Sequence, residues 1–129
     1  MRRTISVDGR ADPATAWARY QSTARWPEWA PQIREVDPPA AELRPGLRGT
    51  VVGPLGVRAA FVVDAVDADN RSWTWTVHVA TVAVRMHHVV RATSTGSRTS
   101  LTMTGPWPIC LAYPPVARCA LKRLVAATP

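Results

Sequence analysis

From Arg2 to Asp8 apolar and polar residues alternate, Ile5 and Val7 on one side and Thr4, Ser6 and Asp8 on the other, the two-residue period of a half-buried strand. The period then lengthens. In "ADPATAWARYQ", Asp12 is a good N-cap and Pro13 stands at the first helical position, where its missing N–H costs nothing, so a helix of about ten residues opens there. Pro13, Trp17, Tyr20 and Ala24 fall three or four apart and form its apolar face. Both Trp26-Pro27 and Ala30-Pro31 push the preceding residue out of the α region, so "RWPEWAPQIREVD" is expected to end this helix.

Beyond Pro31 the alternation returns in a short strand, Ile33 to Val36, followed by the turn-rich "DPPAAELRPG". Strands are then expected at Leu47 to Val52, Val57 to Val66, Ser72 to Ala80, Val82 to Thr93 and Arg98 to Thr104. "GPLG" at 53–56, "DADN" at 67–70 and "STGS" at 94–97 supply turns between them. Short loops between successive strands make an antiparallel meander. The tail places Ile109, Ala112, Val116, Ala117, Ala120, Leu121 and Leu124 on a helical period. Pro114 and Pro115 interrupt it, and the expectation is irregular backbone near Tyr113 with a regular helix only from about Val116. Strand, helix, many strands and helix describe an α+β domain with its helices against one face of a seven-stranded antiparallel sheet. With no repeat or linker, residues 1–129 read as a single domain.

Composition narrows the function classes. The net charge of +7 comes from fifteen arginines and one lysine, Lys122, but these cations are spread one or two per element. No basic run interleaves with aromatics, as single-strand nucleic-acid binding requires, and no nucleic-acid partner is expected. The Ala-, Val-, Pro- and Arg-rich usage is that of a GC-rich, bacterial genome. No apolar stretch reaches the length of a membrane span or a secretory signal, which points to the cytoplasm. Cys110 and Cys119, nine apart on a helical segment, would be separated by roughly 13 Å, too far for a disulfide. No Cys/His zinc spacing occurs, and His87 and His88 point to opposite faces of one strand, so neither metal nor other cofactor is expected.

The pattern "ADPATAWARYQSTARWPEWAPQIREVD", with "LRPGLRGTV", a "WTWTV" strand, a "HHVV" strand and a closing "TMTGPWP", resembles the START-like superfamily, the SRPBCC or polyketide cyclase/dehydrase proteins, over essentially the whole chain. That resemblance implies the helix-grip fold, a curved antiparallel sheet around a long C-terminal helix with a cavity between. It does not select an activity, since the scaffold carries lipids, hormones and polyketides and in some members performs cyclisation or dehydration. No catalytic signature of the aromatase/cyclase members matches this chain residue by residue.

Alternation then chooses the side chains that face such a cavity. Trp73, Trp75, Val77 and Val79 share one face of their strand; Val82, Val84, Met86, His88, Val90 and Ala92 share that of the next. Val57, Ala59, Phe61, Val63 and Ala65 form a third inward row, and Leu101 and Met103 a fourth. Trp26 and Trp29 either plug one end of the sheet or rim an entrance, with Trp29 the better cavity candidate and Trp26 the better core residue. The expected lining is Trp29, Phe61, Trp75, Met86, His88, Met103 and Trp107, an apolar set with His88 as its polar handle. The partner this implies is a small hydrophobic or aromatic, lipid- or polyketide-like ligand, with homodimer formation left open. The alternative is a polyketide cyclase, aromatase or dehydratase in which His88, with Tyr20 or Tyr113, moves a proton. No Asp or Glu on the inner faces would orient His88, which favours the binding protein.

Overall fold

The computed structural model describes residues 1–128. The chain begins with β1 (Arg2–Gly9) and then α1 (Pro13–Gln21), whose N-cap Asp12 accepts a hydrogen bond from the Ala14 amide at 3.1 Å. A 3-10 turn (Thr23–Arg25) and one helical turn, α2 (Trp26–Trp29), lead to β2 (Glu35–Asp37). The meander β3 (Arg48–Val52), β4 (Arg58–Asp67), β5 (Ser72–Val79), β6 (Val82–Ala92) and β7 (Ser97–Thr104) follows, and α3 (Trp107–Ala112) and α4 (Pro114–Leu124) close the chain. All seven strands form one antiparallel sheet in the order β1-β7-β6-β5-β4-β3-β2. The architecture is the helix-grip α+β fold, a curved sheet with the C-terminal helices against one face.

β1 and β2 are opposite edges of that sheet, so the polypeptide between them must cross its concave face. α1 and α2 make this crossing, which is why the Trp-Pro fragment sits over the sheet. Trp26 adopts φ −55° and ψ −37°, helical angles that the following proline was expected to forbid. Pro27 lies in the first turn of α2, where an amide N–H would have no helical partner anyway, so the helix tolerates it. α1 has already stopped at Gln21, leaving Ala24 exposed instead of on its buried face. The indole N–H groups of Trp26 and Trp29 turn back to the carbonyls of Tyr20 and Arg19, at 2.8 and 3.1 Å. Two of the orphan carbonyls at the end of α1 are thereby satisfied, and both indoles are anchored beneath it.

Phase along the strands follows the alternation with one exception. Val63 pairs with Trp75 but Ala65 pairs with Thr74, because Asp64 is an extra residue in the ladder. The bulge reverses the faces beyond it: Val66, opposite Trp73, packs against the core, and Ala65, expected inside, is exposed.

At the C-terminus the proline pair divides the helix into α3 and α4, but the irregular backbone expected near Tyr113 is not found. Tyr113 keeps helical angles, its N–H donates to Ile109 O at 2.9 Å, and its carbonyl accepts from Ala117 N at 3.0 Å. Pro114 and Pro115 begin α4 itself, at positions where no N–H is needed, so the regular helix starts two residues before Val116. α4 lies against β1, α1 and α2. Its end is held by Arg19, a buried arginine with no acidic partner among the described residues, whose guanidinium donates to the carbonyls of Leu124 and Ala126, both at 2.6 Å. A cation at a helix C-terminus is favoured by both the macrodipole and the unpaired carbonyls there. Gly9 permits the closeness of this junction, since a Cβ on it would collide with the Val125 carbonyl. No helix among the described residues is long and apolar enough to cross a membrane.

Candidate functional site

Between the concave face and the helices lies a cavity of ≈ 370 Å³. That is within the range of about 300–1,000 Å³ typical of small-molecule sites. Its sheet wall includes Trp73, Trp75, Val77, Met86, His88 and Leu101; Ala117, Ala120 and Leu121 of α4 close it from above, and Trp26 and Trp29 from α2. Small side chains at 117 and 120 on the helix face, and Ala59 and Gly53 on the sheet side, are what leave the space. Val57 and Val79 line it and are exposed, which puts an opening beside the β3–β4 and β5–β6 turns.

The tryptophans form a continuous aromatic surface. Trp26 meets Trp75 edge-on at 5.1 Å between ring centres and Trp73 at 5.5 Å, while Trp73 stacks on the His88 imidazole at 4.6 Å with 9° between planes. The stack follows from register, because Trp73 and His88 are direct cross-strand neighbours on the inner face.

His88 is inward as alternation requires, yet it is not a free handle. Trp75 Nε1–H donates to its Nε2 at 3.2 Å, so that nitrogen is unprotonated and the proton resides on Nδ1. Nδ1–H can then donate to the Tyr20 hydroxyl at 3.1 Å, which shares a further hydrogen bond with Thr99 Oγ1 at 2.6 Å. Both ring nitrogens are engaged within the protein. Burial pushes the imidazole pKa down to about 3, with the neighbouring His87 contributing in the same direction. Burial likewise pushes the Tyr20 hydroxyl well above its usual range, only partly opposed by its bond to Thr99.

Of the residues expected to line a site, Trp29, Trp75, Met86 and His88 come together around the cavity. Phe61, Met103 and Trp107 do not. Phe61 is buried behind the wall, 5.5 Å from Trp75 and 6.1 Å from Trp26, where it supports both rings. Met103 is wholly enclosed in the packed core. Trp107 begins α3 and is 66% exposed, because the turn after β7 carries it off the sheet before the inward periodicity of the strand can apply. Trp26, assigned to the core, is both buried and part of the wall.

Two polar lining residues were not legible in advance as a pair. Gln32, in the loop after α2, donates from Nε2 to the Tyr113 hydroxyl at 3.0 Å, and its Oε1 is buried without a partner. Burial raises the Tyr113 pKa, the Gln32 bond opposing it in part. A lone glutamine between Pro31 and Ile33 carries no periodic signal, and Tyr113 sits at the helix break, which only the folded chain places opposite it. No group of three or more His, Cys, Asp or Glu side chains able to hold a metal occurs among the described residues.

Solved structures share this fold across most of the chain. XoxI from Bacillus cereus superposes with a TM-score of 0.79 at 16% identity, over 96% of this chain and 92% of its own. CV1439 from Chromobacterium violaceum gives 0.75 at 14%, over 96% and 94%. DynU16, a protein of the dynemicin biosynthetic locus, gives 0.74 at 13%, over 92% of this chain and 45% of its own length. At these identities the likeness is one of fold, and no curated protein matches the sequence. The sequence model of the family described as polyketide cyclase / dehydrase and lipid transport matches residues 1–128, and the chain belongs to that family.

Proposed function

We propose that this protein binds a small hydrophobic or aromatic molecule, lipid- or polyketide-like, in the cavity between sheet and C-terminal helices. The observation that carries the reading is the wall itself, four tryptophans around ≈ 370 Å³ with no Asp, Glu, Lys or Arg among the lining residues. A flat apolar ligand removes its own surface and that of the rings from water, at about 25 cal/mol per Å². Membership of a family that includes lipid-transport proteins supports the same reading.

Proton transfer by His88, as a cyclase or dehydratase would need, finds less support. An imidazole with a pKa of about 3 is a weak base near neutrality, and a tyrosine raised far above its usual value is a weak acid. Their hydrogen bonds run to each other, to Trp75 and to Thr99, and read as the rigid frame of the aromatic wall. The test is titration with an apolar dye or an aromatic polyketide-like compound, followed by tryptophan fluorescence. Trp75→Ala is expected to weaken binding by about 1–3 kcal/mol. A folded Trp75→Ala protein that binds as well as wild type removes Trp75 from the site.

A further inference from the structure

The cavity lining is mostly apolar; apart from His88, whose nitrogens are bonded within the protein, and the unpartnered indole N–H of Trp73, its polar side chains come in a complementary pair. The Tyr113 hydroxyl accepts from Gln32 Nε2, which leaves its own O–H available as a donor, and Gln32 Oε1 is a buried acceptor with nothing bonded to it. Turning the amide over changes the roles but not the sum. Oε1 would then accept the tyrosine proton, leaving Nε2 as the free donor and the tyrosine oxygen as the free acceptor. Either way, two adjacent lining residues, from the loop after α2 and the α3–α4 break, are left with one donor and one acceptor unfilled. No charged side chain among the described residues lines the cavity, and His88 is held neutral by burial.

On the reading that this cavity binds a ligand, we propose that its ligand is uncharged and carries a hydroxyl, phenolic or alcoholic, that seats between Gln32 and Tyr113. A hydroxyl is the small group that donates and accepts at one atom, so it satisfies both orphan functions at once. A hydrocarbon leaves the Gln32 atom unpaired. A carboxylate has only acceptors, surrenders its hydration and meets no cation, which disfavours fatty-acid anions and other acids. The proline pair is what makes the site: with Pro114 and Pro115 starting a new helix, Tyr113 stands at the junction facing Gln32.

Equilibrium dialysis of three bicyclic probes of one shape tests this: 2-naphthol, 2-methylnaphthalene and 2-naphthoate at pH 7. Wild type is expected to bind 2-naphthol about tenfold or more tightly than 2-methylnaphthalene, the size of one buried hydrogen bond gained where one was missing. 2-Naphthoate is expected to bind weakest of the three. In Gln32→Leu, checked for folding by its tryptophan emission and thermal transition, the naphthol preference is expected to shrink toward unity; the probe series on wild type decides the matter if that variant does not fold. Equal affinities for naphthol and methylnaphthalene, or tightest binding of the naphthoate, overturn the hydroxyl assignment while leaving the cavity as a binding site. Saturable binding of none of the three overturns both.

Discussion

Burying a neutral histidine leaves a signature in the pH dependence of folding. His88 has a pKa of about 3 in the native protein against 6.5 for an ordinary imidazole, desolvation being the main cause and His87 the lesser one. The unfolded chain therefore takes up a proton as the pH falls below 6.5 while the native state does not. Stability present above pH 6.5 is lost progressively down to about 3, at a limiting slope of about 1.4 kcal/mol per pH unit. Between pH 7 and 5, above the range where carboxylates ordinarily titrate, the loss from this one residue amounts to about 2 kcal/mol. His88→Gln keeps a hydrogen-bonding side chain and cannot titrate. Urea unfolding of both proteins at pH 7, 6 and 5 should show wild type losing about 2 kcal/mol more than the variant across that interval. The variant should start lower at pH 7, since the Trp75 and Tyr20 hydrogen bonds are disturbed. Nitrogen NMR of wild type should show Nε2 unprotonated and unchanged to pH 5. Parallel stability curves for the two proteins would refute the reasoning, because His88 would then be titrating alike in the folded and unfolded chains.

Other expectations are read from unfolding curves. Gly9→Ala should cost about 3 kcal/mol or more, since the new methyl meets the Val125 carbonyl, whereas Gly53→Ala, with only ordinary contacts around its Cβ position, should cost less than about 1 kcal/mol. A near-neutral Gly9→Ala would mean that the α4 terminus does not press on β1. Arg19→Met should destabilise by about 1.5–3 kcal/mol through loss of the charged bonds to Leu124 and Ala126, and a loss under about 0.5 kcal/mol would mean that water serves those carbonyls equally well. Leu55, 97% exposed at φ 61°, buries nothing and holds a left-handed conformation, so Leu55→Gly should raise stability by up to about 1 kcal/mol; a lower melting temperature would contradict this.

Local chemistry carries far in this chain. Asp12 and Pro13 mark the start of α1, the two-residue period marks the strands and their inward rows, and Pro114-Pro115 mark the break before α4; each depends on atoms within a few residues, so each can be read along the sequence. The START-like motifs supplied the family and the grip. What resisted reading depends on residues brought from afar. The Asp64 bulge reverses the phase of β4 without any glycine or proline to announce it, and Trp26 takes helical angles before a proline while its indole bonds back to the Tyr20 carbonyl. Along the sequence Arg19 is one more dispersed cation, and only the end of α4, 105 residues away, places carbonyls around its guanidinium. Alternation put His88 inside correctly, but Tyr20 and Trp75 occupy its nitrogens, so its polarity is spent within the wall; the open polar pair is Gln32 and Tyr113, joined across 81 positions of sequence. Periodicity states which face of an element a side chain takes, whereas hydrogen-bond partners and cavity space are set by which elements meet, and the tertiary structure alone decides that.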